Sequence, residues 1–143
     1  MGYTTTTSRI MIGLGVSSIS DCWTAFAQNV KTVEAYLEMV RAGRLPVFRG
    51  HLLNDEDRIL RRHILSLMCN MRTAWNEPAS RVDWLDRIPE ELSEMEQDGL
   101  VRLTPASVEV TPAGRAFVRN ICMAFDARLW RKQPETSLFS MTV

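Results

Sequence analysis

Cys22, Cys69 and Cys122, His51 and His63, and the carboxylates Glu90, Glu91, Glu94 and Glu96 are the side chains of this chain best suited to chemistry. The three thiols stand far apart and form no C-x-x-C pair, whereas metal sites readable from sequence usually bring their ligands in close pairs. An odd count without a secretion signal points to reduced thiols. Cys69 and Cys122 also fall on apolar helical faces, where a small buried thiol is explanation enough. No metal site is expected. His51 and His63 titrate near neutral pH and suit acid–base work, but neither belongs to a recognisable Ser, His and Asp arrangement. The glutamates are paired only along the chain, as on a solvated helix face. No G-x-x-x-x-G-K phosphate loop is present. No residue is expected to be catalytic.

The segment from Gly13 to Ser20 has chemistry of another kind. Gly13 and Gly15 remove side chains where a ligand can approach the backbone, and Ile19 offers an apolar surface to an adenine ring. A tight turn beside a core strand explains the same glycines, since isolated glycines commonly mark turns.

These groups must be held by the elements around them. The run Ile10-Met11-Ile12 before the glycines reads as a short buried strand that looks cut from a sheet. From Asn29, a possible cap, Val33, Tyr36, Leu37 and Val40 recur at helical spacing until Gly43 and Pro46. Leu45 to Leu53 reads as extended. A second helix starts near Asn54, with Asp55, Glu56 and Asp57 at its positive end and Leu60, Ile64, Leu67, Met68 and Met71 on one face. A further helical stretch ends at Gly99. Val101, Leu103, Val108 and Val110 alternate around a break at residues 105–107, as in a hairpin. Thr111 and Pro112 then open a last helix with the stripe Val118, Ile121, Cys122, Phe125 and Leu129. Gln133 onward is a polar tail ending in Leu138-Phe139. The expected fold is mainly α with a small β-hairpin, winged-helix-like over 29–143 and preceded by a remnant strand and loop in 1–28.

A winged helix raises the question of nucleic acid. The segment Arg81 to Asp98, in the recognition-helix position, holds seven acids against two arginines, a local charge of −5. Such a surface repels phosphates. With 17 basic and 17 acidic residues the whole chain has no net field to steer it to nucleic acid or an acidic membrane. Its apolar runs are too short and interrupted to cross a bilayer, and its Thr-rich start lacks the form of a signal peptide. The cytoplasm is the expected compartment.

Gly2-Tyr3-Thr4-Thr5, then Gly13-Leu14-Gly15-Val16-Ser17-Ser18-Ile19-Ser20 with Ala27-Gln28-Asn29, and finally Arg119-Asn120-Ile121-Cys122-Met123-Ala124-Phe125-Asp126 occur in this order. So do Asp57 to Arg62, Leu67-Met68-Cys69-Asn70, Asp98-Gly99-Leu100-Val101 and Val110 to Arg115. Together they resemble the last part of the oxygen-independent coproporphyrinogen III oxidase family, radical S-adenosylmethionine enzymes of haem synthesis. The resemblance implies a parent enzyme that turns two propionates of coproporphyrinogen III into vinyl groups, using S-adenosylmethionine and a four-iron, four-sulfur cluster. It implies that residues 1–28 are the end of a radical S-adenosylmethionine barrel, and that Ile19 touches S-adenosylmethionine from the barrel edge. The family's C-x-x-x-C-x-x-C cluster motif does not occur in this chain, so the radical source is missing. Met1 directly before Gly2-Tyr3 suggests a fragment or a truncated reading frame. The expectation is an accessory C-terminal domain that binds no cofactor alone and is inactive in isolation. Its partners would be the parent's catalytic barrel and the porphyrinogen substrate, with self-association through the exposed N-terminal arm. The alternative is a standalone module binding a protein or haem, with Cys22, His51 or His63 as axial ligand.

Overall fold

The computed structural model describes residues 8 and 10–131; the Thr-rich start with Gly2-Tyr3, and the tail from Gln133, lie outside them. The chain divides into two compact units, which separate between Arg58 and Ile59. The boundary expected after residue 28 falls within a strand of the first unit, which pairs beyond it with a later strand.

The first unit is built on a three-stranded antiparallel sheet in the order β1 (Ile19–Asp21), β2 (Ala25–Asn29), β3 (Val47–Leu52). The β1–β2 hairpin turns through Cys22-Trp23-Thr24, where Trp23 takes a left-handed φ of 68° and donates its N–H to Asp21 Oδ1 at 2.8 Å. An aspartate two residues back is the usual partner for such a turn. Between β2 and β3 runs α1 (Val33–Arg41), capped by the Thr32 hydroxyl rather than by Asn29. It ends at Gly43, whose φ of 68° only glycine adopts freely.

Ile10-Met11-Ile12 is not the buried strand its composition suggests. All three side chains are exposed, and only Met11 bridges to the sheet, opposite Asp21. An apolar run becomes a buried strand only where a second layer covers it, and none of the described residues does so.

α2 (Asp55–Asn70) opens with a reciprocal cap: Asn54 Oδ1 accepts from the Asp57 N–H, and Asp57 Oδ2 accepts from the Asn54 N–H. Two orphan donors at a helix start are thereby satisfied. From Ile59 onward the second unit has a true core. Leu60 and Leu67 of α2, Trp75, Leu85, Val108 and Phe125 are all buried there. Its sheet runs in the order β4 (Arg72–Ala74), β6 (Ser107–Val110), β5 (Val101–Thr104), all antiparallel. The expected hairpin is therefore β5–β6. Two three-stranded sheets stand where one hairpin was expected, because β1 and β4 are three residues long and show no usable alternation.

The acid-rich stretch is not one recognition helix. It breaks into a 3-10 turn at Asp83–Arg87, then α3 (Ile88–Glu91) and α4 (Ser93–Gln97). Pro89 fits a first helical turn, and Leu92 leaves helical geometry at φ −106°, ψ 7°. The closing stripe is likewise split, into a 3-10 turn at Ala113–Phe117, α5 (Val118–Met123) and α6 (Ala127–Arg131). Thr111 still caps it, its hydroxyl accepting from the Gly114 N–H at 3.1 Å. Among the described residues no helix is long and apolar enough to cross a membrane.

Candidate functional site

Gly13 to Ser20 forms a loop that enters β1 and is tied from three directions. The Gly13 N–H donates to Ser20 Oγ at 3.0 Å, and the Gly15 N–H to the Tyr36 hydroxyl of α1 at 3.1 Å. Asn29, at the end of β2, donates its carboxamide to the Gly13 carbonyl at 3.1 Å and to the Gly15 carbonyl at 2.9 Å. Asn29 is the one buried residue among the described residues of its unit, at 5% exposure, and its buried amide is satisfied by this loop.

Each glycine has a local reason. A Cβ on Gly13 would stand 2.7 Å from the Ile19 carbonyl oxygen, so the loop closes on itself only without one. Gly15 takes a φ of 97°. With the carbonyls of residues 13 and 15 occupied, the loop presents apolar side chains: Leu14 is widely exposed and Ile19 is 40% exposed.

Strand register adds residues that the sequence did not single out. Ile19 pairs with Gln28, which pairs with Arg49; Asp21 pairs with Phe26, which pairs with His51. Residues directly opposite share a face of the sheet, so Ile19, Gln28 and Arg49 form one row and Asp21, Phe26 and His51 the next. Arg49 donates its Nε–H to Gln28 Oε1 at 2.8 Å, while Gln28 Nε2 donates to the Ser17 carbonyl at 3.3 Å. No local pattern could have shown this row, because it joins positions brought together only by the pairing of three strands.

The remaining candidates are dispersed in role. Cys22 is exposed in the β1–β2 turn, Cys69 half-buried in α2, and Cys122 buried in α5, where burial pushes its thiol up to about 12. A cluster ligand must be an accessible thiolate with neighbours of its kind. These cysteines do not fit that role. Among the described residues no group of three or more His, Cys, Asp or Glu stands together to hold a metal ion.

His51 is exposed on β3. His63 is 4% exposed, with Nε2 2.7 Å from the Ser80 carbonyl and Nδ1 2.7 Å from Thr73 Oγ1. A carbonyl only accepts, so Nε2 carries the proton and Nδ1 accepts from the threonine. Both nitrogens are engaged, which leaves no lone pair for iron. Burial lowers the pKa of His63 below the ordinary value; the Ser80 bond opposes that and Arg62 adds to it. This is a neutral core histidine packed edge-on to Trp75 at 5.9 Å.

In the acidic stretch, Glu91 pairs with Arg87 at 2.9 Å and Asp86 with Arg81 at 2.7 Å. Glu96 accepts from the Leu103 N–H at 2.9 Å. These carboxylates serve the fold.

No family model matches the chain. Curated relatives do. A protein named oxygen-independent coproporphyrinogen III oxidase from Synechocystis is 34% identical over 99% of this chain and 32% of its own length. The protein of that name from Escherichia coli is 36% identical over 92% of this chain and 30% of its own. The chain thus spans about a third of the relatives it matches. A solved structure of the E. coli coproporphyrinogen III oxidase, described as a radical SAM enzyme, superposes with a TM-score of 0.79 at 35% identity. It covers 90% of this chain and 31% of that one.

Proposed function

The chain is homologous to about a third of the length of the oxygen-independent coproporphyrinogen III oxidases, and from that premise we propose that it is their C-terminal accessory region. In this reading the parent converts two propionates of coproporphyrinogen III to vinyl groups in the cytoplasm. S-adenosylmethionine and the iron–sulfur cluster are held mainly by the part of the relatives that this chain does not span. The chain contributes no radical chemistry of its own. It supplies Ile19, with Gly13 and Gly15 shaping the loop behind it, as an apolar edge for S-adenosylmethionine when that cofactor is bound. The strand and loop of 1–28 belong to the catalytic barrel together with α1 and β3, which complete their sheet, and the unit from Ile59 onward is the winged-helix-like domain that helps to enclose the substrate. The sheet order β4-β6-β5, following α2 and ending in a hairpin, supports the winged-helix-like description. Its acidic face favours a protein neighbour over nucleic acid.

One observation carries the proposal: nearly all of this chain matches only about a third of each relative, in sequence and in fold. The barrel is the partner, and the separated chain would self-associate through its uncovered arm. The test removes the matching third from the E. coli relative and replaces it with this chain, under anaerobic conditions. Restored loss of coproporphyrinogen III is expected from the fusion. The chain alone, reconstituted with iron, sulfide and S-adenosylmethionine, should show neither cluster absorbance nor turnover. A fusion that folds and stays inactive, or a chain active by itself, overturns the reading.

A further inference from the structure

We infer that Arg49 is a carboxylate-binding residue on the Ile19 face of the β1–β2–β3 sheet, a role that rests on and extends the function proposed above. The register puts Ile19, Gln28 and Arg49 in one row across three strands. Arg49 is exposed on β3, and its guanidinium is not loose. Its Nε–H is fixed to Gln28 Oε1 at 2.8 Å, and the Gln28 amide is fixed in turn to the Ser17 carbonyl at 3.3 Å. The backbone of Ser17 is anchored as well, its N–H donating to the Val30 carbonyl at 2.9 Å.

This chain of bonds uses the inner donor of the guanidinium and leaves its two terminal nitrogens unengaged among the described residues. No carboxylate among the described residues pairs with Arg49. A planar fork with two parallel N–H groups matches a carboxylate in bidentate geometry, which a lysine cannot reproduce. Holding the group beforehand lowers the entropy lost on binding. Beyond Gln28 in the same row, two strands away, lies the apolar Ile19, and in the next row Phe26. An apolar body with a carboxylate at its edge is therefore the ligand that fits.

Two molecules of the proposed reaction have that chemistry: S-adenosylmethionine, through its methionyl carboxylate, and the tetrapyrrole, through a propionate. Titrations of the fusion with the E. coli relative, which supplies the rest of the cofactor and substrate site, distinguish them. Coproporphyrin III, the stable oxidised form of the tetrapyrrole, is compared by fluorescence with its tetramethyl ester. S-adenosylmethionine is compared by calorimetry with methylthioadenosine, which lacks the amino-acid portion. For one of these pairs the acid is expected to bind at least about tenfold more tightly than its control. Arg49→Ala should erase that preference and Arg49→Lys restore it only in part. Gln28→Ala, which frees the guanidinium without removing its charge, should weaken it by a smaller factor. The pair that shows the effect names the source of the carboxylate.

The inference is overturned if neither pair shows a carboxylate preference, or if Arg49→Ala keeps it while retaining the circular dichroism of the parent chain. The fusion assay separates this result from the broader reading. Restored turnover without an Arg49-dependent preference removes the arginine and leaves the accessory-region reading standing. An Arg49-dependent preference without restored turnover does the reverse.

Discussion

Acid should weaken the unit that begins at Ile59 through one residue, His63. Its imidazole is 4% exposed and edge-on to Trp75, with Nε2–H donated to Ser80 and Nδ1 accepting from Thr73. A second proton would give Nδ1 a donor, which the Thr73 hydroxyl can meet by rotating. The cost of charging is therefore mainly that of placing a cation out of water, and the folded pKa lies below 6.5. The sign follows from proton counts. Between the folded pKa and 6.5 the unfolded chain binds more protons, so stability is complete above 6.5 and falls as pH drops through that window. Below the folded pKa the contribution levels off. One proton limits the slope to about 1.4 kcal/mol per pH unit. Urea unfolding followed by the fluorescence of the chain's four tryptophans, stepped through this range, reads the effect. His63→Leu is the reference because it removes the titration and keeps an apolar side chain. It should cost about 2–6 kcal/mol near neutral pH, since the Thr73 hydroxyl and Ser80 carbonyl each lose a partner at about 1–3 kcal/mol. The gap between the two proteins should narrow on acidification. A gap that is constant or widens refutes the assignment of His63 as a neutral core group.

Gly114→Ala should destabilise the same unit by at least about 2 kcal/mol, because a Cβ there runs into the Leu100 carbonyl and stands 3.1 Å from Val110 Cγ1. A thermal midpoint equal to that of the parent would contradict the close approach. Asn29→Ala should loosen the Gly13–Ser20 loop, with a loss of about 2 kcal/mol for two carboxamide bonds and faster amide exchange at Gly15 and Ser17. Unchanged exchange there would mean that the loop does not depend on Asn29. Iodoacetamide near neutral pH should modify exposed Cys22 first and spare Cys122, whose thiol is raised to about 12, until the chain unfolds. Mass spectrometry of native samples checks the order, and early labelling of Cys122 would refute it.

Long, strongly patterned elements were legible in the sequence, and short or cooperative ones were not. The α2 face was plain from Leu60, Ile64, Leu67 and Met68, because a helix of sixteen residues repeats its period several times. The β5–β6 hairpin was plain because Val101, Leu103, Val108 and Val110 alternate about a turn. β4 escaped notice: three residues directly after Met71, which adopts a φ of 60°, carry no periodic signal. The Gly13–Ser20 loop stood out through its glycines, but the bonds that hold it come from Asn29 and Tyr36, and the Arg49 row from strand pairing. Such features depend on tertiary register, which local spacing does not encode.

α1 shows a different kind of legibility. Its stripe was read correctly as helical, yet in the folded chain Val33, Leu37 and Val40 remain 54%, 40% and 47% exposed, and the helix buries none of its residues. Throughout Thr5–Arg58 the one buried side chain among the described residues is the polar Asn29. Helical propensity alone sustains nine residues poorly in water, and most helical stability in proteins comes from packing an apolar face. The amphipathic pattern therefore specifies a covering surface that the described residues do not supply. A covered α1 requires apolar contact from outside the unit, and under the function proposed above the barrel of the parent oxidase is the surface that would provide it.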